Sequence, residues 1–426
     1  MNQGPFIFKG YEFDAATHTV SFHYAYGERQ FIENIIFGAT VENYNKDVLD
    51  RALFLSYMAC GASYYKTFPS KEVVFEHGAL DAWQAQFFDS VFQDGLSQFA
   101  FENKLTRDDL AHFVATGDAV PAIPYSGEGI IALQSGGKDS LLTASMLNEK
   151  GVAFTPWYIQ NNPSHPAVLD DLGYPLRTIY RKVDMPAIKK AIAEGGLNGH
   201  APVTYLVMSF ALIDAILTNK NTVLISIGHE GDEPHEHIGD MPVNHQWSKT
   251  WPAEEQFAEY VKRYISPDIH IGSPLRGFSE LRVAELFANH GWTKFGHRFS
   301  SCNIANYLQG KDNTTLAWCG DCPKCANSFL LFAPFVEPKE LESIFGGQNL
   351  FTKPSLTETF KGILGIEGVM KPFECIGETT ELQRAYHMAR EKWPNAGYAL
   401  PFDVPISNFD YLKEYPVQEW AKKLLF

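Results

Sequence analysis

The chain has 426 residues, a length that predicts about two to three domains. Hydrophobic residues make up 45% and charged residues 20%, a globular balance that excludes wholesale disorder. The 35 Lys and Arg residues stand against 50 Asp and Glu residues, which gives a net charge of −15. Because so acidic a surface repels phosphate backbones, we predict no nucleic-acid partner. A small anionic substrate still has access to a locally basic pocket.

The sequence also indicates the compartment. The first ten residues lack the apolar segment of a signal peptide. The longest apolar stretch, Tyr205 to Leu217, is short for a membrane span and contains Asp214, so it predicts a buried helix. Three cysteines within seven residues favour metal binding over disulfides in a chain without an export signal. We therefore predict a cytoplasmic protein with no membrane partner.

The N-terminal part changes its periodicity along the chain. Residues 1 to about 40 alternate apolar and polar side chains, which predicts a small antiparallel sheet. From Asp47 to about Phe101 the pattern becomes helical. The segment Thr116 to Gly129 is rich in small residues and prolines and is typical of a domain boundary. These patterns predict an α+β N-terminal domain over residues 1–125.

Strand and helix patterns alternate after that boundary. The predicted strands are Ile130–Leu133, Phe154–Ile159, Thr178–Val183 and Thr222–Ile227, and the predicted helices are Lys138–Lys150 and Pro202–Thr218. Alternation of this kind predicts an α/β fold with a parallel sheet covered on both faces. Ligands of such sheets bind beyond the carboxyl ends of the strands. We assign this core to residues 126–335 and a C-terminal extension of undefined architecture to residues 336–426.

A loop rich in phosphate-binding groups joins the first of these strands to its helix. It consists of Ser135, Gly136, Gly137, Lys138, Asp139 and Ser140. Adjacent glycines let backbone N–H groups approach an anion, and the helix N-terminus adds its positive end. Lys138 adds charge, the two serines donate hydrogen bonds, and Asp139 suits Mg²⁺ or the catalytic geometry. A Walker A loop is excluded, because its first glycine falls on Ala132 and its Ser/Thr on Asp139.

Four cysteines form the second chemical motif. Cys319, Cys322 and Cys325 follow one another at a spacing of three, and Cys302 lies a short way upstream. Four thiolates suit tetrahedral Zn²⁺, although similar spacings also occur around iron–sulfur clusters. We predict a structural zinc knuckle without a catalytic role.

The sequence predicts a loop from Gly228 to His245, and it favours neither of two interpretations of that loop. It collects histidines and carboxylates at His229, Glu230, Asp232, Glu233, His235, Glu236, His237, Asp240 and His245. One interpretation is a metal or substrate loop at the end of the strand that precedes it. The other is a solvated acidic loop.

Both motifs resemble known enzymes. The Ser135 to Ser140 loop resembles the S-G-G-x-D-S loop of the PP-loop ATP pyrophosphatases, which cleave ATP between the α and β phosphates. The cysteine arrangement is similar to the zinc site of 7-cyano-7-deazaguanine synthase, a PP-loop enzyme that adenylates a carboxylate.

Further stretches narrow the resemblance to one family. They are Leu49–Ala52, Ala62–Lys66, Asn198–Thr204, Val243–Lys249, Ser301–Asn303, Trp318–Cys325, Ile344–Gly347 and Lys371–Glu378. In this order, from about residue 20 to 385, they resemble the MurL-type epimerases, which invert the terminal glutamate of UDP-N-acetyl-α-D-muramoyl-L-alanyl-L-glutamate in peptidoglycan synthesis.

The resemblance implies a cytoplasmic isomerase that uses ATP and Mg²⁺ and holds a structural Zn²⁺. Adenylation would convert the α-carboxylate of the terminal L-glutamate into a neutral acyl group, which makes the α-proton more acidic. Each pKa unit gained in this way is worth ~1.4 kcal/mol. A base would then remove the proton, a proton would return on the opposite face, and water would release AMP beside the diphosphate already formed.

Inversion needs a proton acceptor and a proton donor on opposite faces, or one mobile base. The candidates inside the family motifs are His200, His245, Lys249, Tyr64, Lys66 and Cys375, with histidine favoured as the general base near neutral pH. Asp139 and Lys138 of the glycine loop are the other predicted catalytic residues. Lys66, Lys249 and Arg276 are alternatively ligands of the UDP diphosphate or of the two glutamate carboxylates.

Three other functions remain open from the sequence. A PP-loop carboxylate-activating synthase keeps the loop and changes the acceptor. A tRNA-modifying PP-loop enzyme would hold an iron–sulfur cluster at the cysteines, but the acidic charge disfavours tRNA. A nucleotide-binding scaffold without turnover is disfavoured by the intact Lys138 and Asp139.

Overall fold

The computed structural model describes residues 4–160, 164–308, 314–366, 368–394 and 404–425. Strands and helices alternate through most of this length. The strands are β1 (Phe6–Asp14), β2 (Thr19–Tyr26), β3 (Arg29–Ile36), β4 (Val73–Phe75), β5 (Ile130–Leu133), β6 (Thr155–Gln160), β7 (Arg177–Lys182), β8 (Thr222–Leu224), β9 (Glu236–Ile238), β10 (Met241–Val243) and β11 (His270–Gly272).

The helices pack on this framework and fill the C-terminal part of the chain. They are α1 (Lys46–Tyr65), α2 (Ala82–Gln93), α3 (Ser97–Glu102), α4 (Lys138–Glu149), α5 (Met185–Ala193), α6 (Val203–Leu217), α7 (Trp251–Tyr260), α8 (Glu280–His290), α9 (Trp292–Phe295), α10 (Pro323–Phe332), α11 (Pro338–Ile344), α12 (Thr357–Ile363), α13 (Thr379–Ala389) and α14 (Glu419–Leu425). Among the described helices, none is long and apolar enough to cross a membrane.

One large sheet organises the fold. Its described strands run in the order β11-β8-β5-β6-β7-β3-β2-β1-β4. The strands from β11 to β7 are parallel, which confirms the predicted parallel α/β core. The predicted antiparallel strands β1 to β3 also form. They continue the same sheet, because β3 pairs antiparallel with β7, for example Ile35 with Arg181. The three-domain division stays a prediction.

Local sequence explains the helix that follows β5. Gly137 is the N-cap of α4, and Gly151 ends the segment in the left-handed region at φ 67°. An L-residue with a side chain is strained there, so glycine provides the stop. The predicted apolar helix also forms as α6, whose residues from Tyr205 to Leu217 are nearly all buried.

The segment Gly228 to His245 is not a simple loop. It contains the hairpin of β9 and β10, in which Met241 pairs with Ile238. Gly239 makes the turn at φ 60°, and the fully buried Met241 and Val243 anchor the second strand. Alternation of buried and exposed residues over only three positions gives too short a pattern to predict a strand. The strand before this segment is also shorter than predicted, since β8 ends at Leu224.

Two hydrophobic cores flank the sheet. The first is rich in aromatic rings and packs β1, β2 and α1, with Phe6 and Tyr24 stacked at a centroid distance of 5.7 Å. The second surrounds α4, α8 and α10 and includes residues of α12, α13 and α14. The C-terminal extension therefore packs onto the parallel-sheet core through its apolar helix faces.

Candidate active site

A cavity of about 460 Å³ lies beyond the carboxyl ends of β5, β6 and β8. This is the edge at which open parallel sheets bind ligands. Its lining includes Ser135, Gly137, Lys138, Asp139, Ser140, Thr204, Ser226, Glu230, Lys249, Glu280, Asn303, Lys324, Asn327 and Cys375. The structure thus brings the predicted loop together with Lys249 and Cys375 in one space.

The glycine loop has the shape that an anion requires. Gly136 lies at φ 79°, and a Cβ atom there would come within 2.4 Å of a Leu316 methyl group, so only glycine fits. Ser140 Oγ donates to the Gly137 carbonyl at 3.2 Å and accepts from the Ser135 N–H at 3.3 Å, which fixes the turn. The turn leads directly into the positive end of α4, a suitable site for a phosphate group.

Lys138 stands at the centre of a charge cluster. Its Nζ lies 3.1 Å from both Asp139 carboxylate oxygens and 3.1 Å from Glu280 Oε1. Burial opposes the lysine charge, but the two carboxylates outweigh it and hold the Lys138 pKa above its usual value. Lys138 therefore stays a cation, available to a phosphate oxygen.

Glu280 contributes a buried carboxylate to the cavity. Its Oε2 is buried and has no hydrogen-bond partner among the described residues. A Cβ at Gly377 would lie 2.8 Å from this oxygen, so glycine there leaves room for it. Burial, reinforced by the nearby Glu230 and Asp139, raises the pKa of Glu280 to about 7. Asp139, Glu230 and Glu280 all line the cavity and supply carboxylate oxygens, the type of ligand that Mg²⁺ prefers.

Lys249 and Cys375 also belong to the lining. Lys249 Nζ donates to Glu230 Oε1 at 3.2 Å. Burial opposes its charge, while interactions with Cys375 and Glu230 raise its pKa above the usual value. An ammonium group and a cysteine sulfur therefore line the same space, and both are groups that can carry a proton in catalysis.

His200 and His245 lie together, but they do not line this cavity. Their ring centroids are 4.5 Å apart, and His245 Nδ1 is 2.6 Å from Gln98 Oε1. Burial lowers the pKa of His200 to about 3 and that of His245 to about 4, so both rings are neutral near pH 7. Their catalytic assignment stays a prediction. The ring of His235 stacks on Phe373, with the ring centroids 5.1 Å apart.

Three further candidates also lie outside the lining. Tyr64 belongs to the aromatic core, where its ring stacks on Tyr24 at 5.2 Å. Lys66 donates to the Gly199 carbonyl. Arg276 is fully buried and donates twice to a carboxylate oxygen of Glu254, at 2.6 and 2.8 Å. The alternative that Arg276 binds substrate is wrong, because its guanidinium is wholly used within the protein.

The four predicted cysteines come together. Their sulfur atoms all lie within 4.8 Å of one another, with Cys302–Cys322 and Cys319–Cys325 at 3.7 Å and Cys322–Cys325 at 3.5 Å. A tetrahedral ion with bonds of ~2.3 Å needs sulfur atoms about 3.8 Å apart. The cysteines therefore fit one ion. A four-iron cluster would hold its thiolates on four separate irons, farther apart.

This cysteine cluster also builds a wall of the cavity. Cys322 is the N-cap of α10, and the next residues of that helix bring Lys324 and Asn327 into the lining. Asn303 follows Cys302 and lies beside them. In the sequence, Lys324 and Asn303 are recognisable as site residues only through the cysteines beside them. Glu280, in contrast, carries no sequence signal, since it is only the first residue of an ordinary helix.

Comparisons with known proteins agree over most of the chain. A family model described as MurL N-terminal domain matches residues 2–273, and one described as MurL C-terminal domain matches residues 298–399. A UDP-N-acetyl-alpha-D-muramoyl-L-alanyl-L-glutamate epimerase from Xanthomonas oryzae pv. oryzae is 33% identical over 353 residues, which cover 82% of this chain and 77% of that protein.

Two proteins of the same name come from other bacteria. The protein from Salinispora tropica is 31% identical over 92% of this chain and 86% of its own length. The protein from a Micromonospora species is 30% identical over 92% of this chain and 88% of its own length. The α/β fold and these relatives define the class of protein as an isomerase, an epimerase by type. The chain belongs to the MurL family.

Proposed function

We propose that this epimerase acts in peptidoglycan synthesis on UDP-N-acetylmuramoyl-L-alanyl-L-glutamate and activates its terminal α-carboxylate with ATP. The observation that carries the proposal is the loop Ser135 to Ser140, which opens on the cavity with Lys138 beside the carboxylates of Asp139 and Glu280. Transfer of an AMP group from ATP to a carboxylate requires cations that bind the anionic groups and carboxylate oxygens that bind a metal ion. The printed names of the relatives support the choice of substrate.

In the first step the substrate carboxylate oxygen attacks the α-phosphorus of ATP, and diphosphate leaves. Backbone N–H groups of the loop and the Lys138 ammonium would hold the departing diphosphate. Asp139, Glu230 and Glu280 would hold Mg²⁺, which supplies charge neutralisation at the phosphates when bound. Membership of the PP-loop superfamily is part of this proposal.

The acyl adenylate then loses and regains its α-proton. We assign the two transfers to Lys249 and Cys375, because both line the cavity. Cys375 in its thiolate form would accept the α-proton, and the Lys249 ammonium, whose pKa is raised, would return a proton to the opposite face. Water finally attacks the acyl carbon and releases AMP, so that one ATP and one water yield AMP and diphosphate for each turnover. The peptide product carries D-glutamate, and the hydrolysis of ATP drives the inversion in that direction.

The cysteine cluster would hold a structural Zn²⁺. Its sulfur spacing supports one ion, and its position at the start of α10 supports a role in shaping the cavity wall. The same spacing disfavours the tRNA-modifying alternative that requires an iron–sulfur cluster.

The test uses the purified protein with ATP, Mg²⁺ and UDP-N-acetylmuramoyl-L-alanyl-L-glutamate. AMP and diphosphate are quantified, and the chirality of glutamate is determined after acid hydrolysis. D-glutamate formed together with AMP is the expected result. AMP without inversion would contradict epimerisation and favour a carboxylate-activating synthase. Inversion without AMP would contradict adenylation.

A further inference from the structure

One lysine of the cavity is not closely paired with a carboxylate. Lys138 and Lys249 hold carboxylate oxygens at 3.1 and 3.2 Å. Lys324 Nζ instead donates to the amide oxygen of Asn303 at 3.2 Å, and its nearest described carboxylate, that of Glu374, lies 4.0 Å away. The Lys324 side chain is only 14% exposed. A half-satisfied ammonium in a sheltered cavity wall is costly unless a ligand anion completes its pairing.

Two donors converge on this place. Asn303 accepts from Lys324 through its oxygen, so its NH₂ group is turned toward Glu374 Oε2, 3.4 Å away. Charge-assisted hydrogen bonds are normally about 2.7–2.9 Å long. The Glu374 carboxylate thus stands near both donors at loose distances. Lys324 and Asn303 line the cavity, whereas Glu374 is outside the described lining.

We propose that Lys324 and Asn303 bind the γ-carboxylate of the terminal glutamate and so select an acidic side chain, an inference that rests on the proposed function. The substrate residue carries two carboxylates, and only the α-carboxylate reacts at the glycine loop. The other must be held away from Lys138, or it would compete for the same phosphorus. Lys324 provides that separate cation on α10, and Asn303 adds a neutral donor. A γ-carboxylate at hydrogen-bond distance would replace the longer contacts of 3.4 and 4.0 Å that Glu374 makes with these two donors.

The test compares two substrates that differ in one group. They are UDP-N-acetylmuramoyl-L-alanyl-L-glutamate and the analogue that ends in L-glutamine, which keeps the α-carboxylate and replaces the γ-carboxylate by an amide. The readout is kcat/KM for AMP release with each substrate. A hydrogen bond to a charged group gives the wild-type protein a preference of roughly 10- to 100-fold for glutamate. Lys324→Gln brings the ratio to near unity, and Lys324→Arg retains part of the preference.

A matched control separates recognition from folding. Lys353 donates to the Gly320 carbonyl at 2.7 Å in the same cysteine loop, but it does not line the cavity. Lys353→Gln keeps the wild-type preference. Bound zinc and the thermal midpoint are measured for every variant, so that a damaged cysteine cluster is recognised.

Two results would overturn the inference. An equal loss of kcat/KM for both substrates in Lys324→Gln would show that Lys324 binds a group common to them, such as the UDP diphosphate. An unchanged preference in that variant would show that it does not select the side chain. Absence of AMP release by the wild-type protein with either substrate would instead refute the proposed function itself, a distinguishable failure.

Discussion

The glycine-loop cluster and the cysteine cluster border the same cavity but are assembled differently. In the first, Lys138 meets the adjacent Asp139 and also Glu280, which lies 142 positions further along the chain. In the second, Cys302 meets Cys322 across 20 positions, and Cys322 meets Cys325 across three. The first is therefore completed by the tertiary fold, whereas the second is almost complete within one short segment.

This difference predicts how each cluster fails. A cluster completed by distant segments rests on a sheet edge that many other contacts hold in place, so a changed side chain alters its charge more than its position. The four cysteine sulfurs would share one ion, so removal of a single thiolate would release it and with it the stability that the ion contributes locally. Substitutions in the first should act mainly on catalysis, and those in the second mainly on structure.

The largest effect is expected from Lys138→Met. Loss of the ammonium removes a cation aimed at the phosphates, which typically costs about 10²- to 10³-fold in rate. The measurement is kcat for AMP release. Because the variant leaves Asp139 and Glu280 facing each other without a cation, it also loses stability. The double variant Lys138→Met with Glu280→Gln should regain the thermal midpoint without regaining activity. Recovery of activity would contradict a phosphate role for Lys138.

A smaller effect, of a different kind, is expected from Cys319→Ser. Removal of one thiolate should lower metal content from about one ion per chain to near zero and destabilise the wall that carries Lys324, by several kcal/mol. Metal analysis and thermal unfolding provide the readouts. Cys60→Ala is the control, since Cys60 is buried in the aromatic core away from the cluster. Full metal content in Cys319→Ser would show that the four sulfurs do not share an ion.

The sequence predicts the parts of the site that are local. The loop Ser135 to Ser140 and the four cysteines are recognisable, because their chemistry depends on neighbours along the chain. Glu280 is not, because nothing at the start of α8 indicates that the fold brings it to Lys138. The chemistry of His200 and His245 makes them attractive candidates, yet packing places them beyond the lining. Side-chain type does not reveal burial.

The fold likewise has parts that the local sequence predicts and parts that depend on distant segments. The alternation after residue 130 predicts the parallel strands β5 to β8 and the helices α4 and α6 to within a few residues, but it does not predict the parallel strand β11. The continuation of the sheet into the N-terminal strands depends on the pairing of β3 with β7, between residues more than 140 positions apart. Such a pairing has no local signal, because any edge strand offers the same backbone groups.

The smallest effect is expected on the pH dependence of stability. Burial, with a further contribution from Glu280, raises the pKa of Glu381 to about 8 from a usual value of 4.5. The stability that this neutral carboxyl contributes is full below pH 4.5 and is lost as the pH rises toward 8. Glu381→Gln should therefore flatten the fall of the free energy of unfolding between pH 5 and 8, by up to about 1 kcal/mol per pH unit, as measured by thermal unfolding at each pH. An unchanged slope would show that Glu381 is ionised in the folded protein.

Carboxylate activation at the glycine loop is tested most directly by oxygen transfer. The substrate is prepared with ¹⁸O in the α-carboxylate of its terminal glutamate and converted with ATP and Mg²⁺, and the products are analysed by mass spectrometry. Attack of that carboxylate on the α-phosphorus, followed by attack of water on the acyl carbon, predicts one ¹⁸O atom in each AMP and none in diphosphate. Formation of D-glutamate with unlabelled AMP would contradict this sequence of steps.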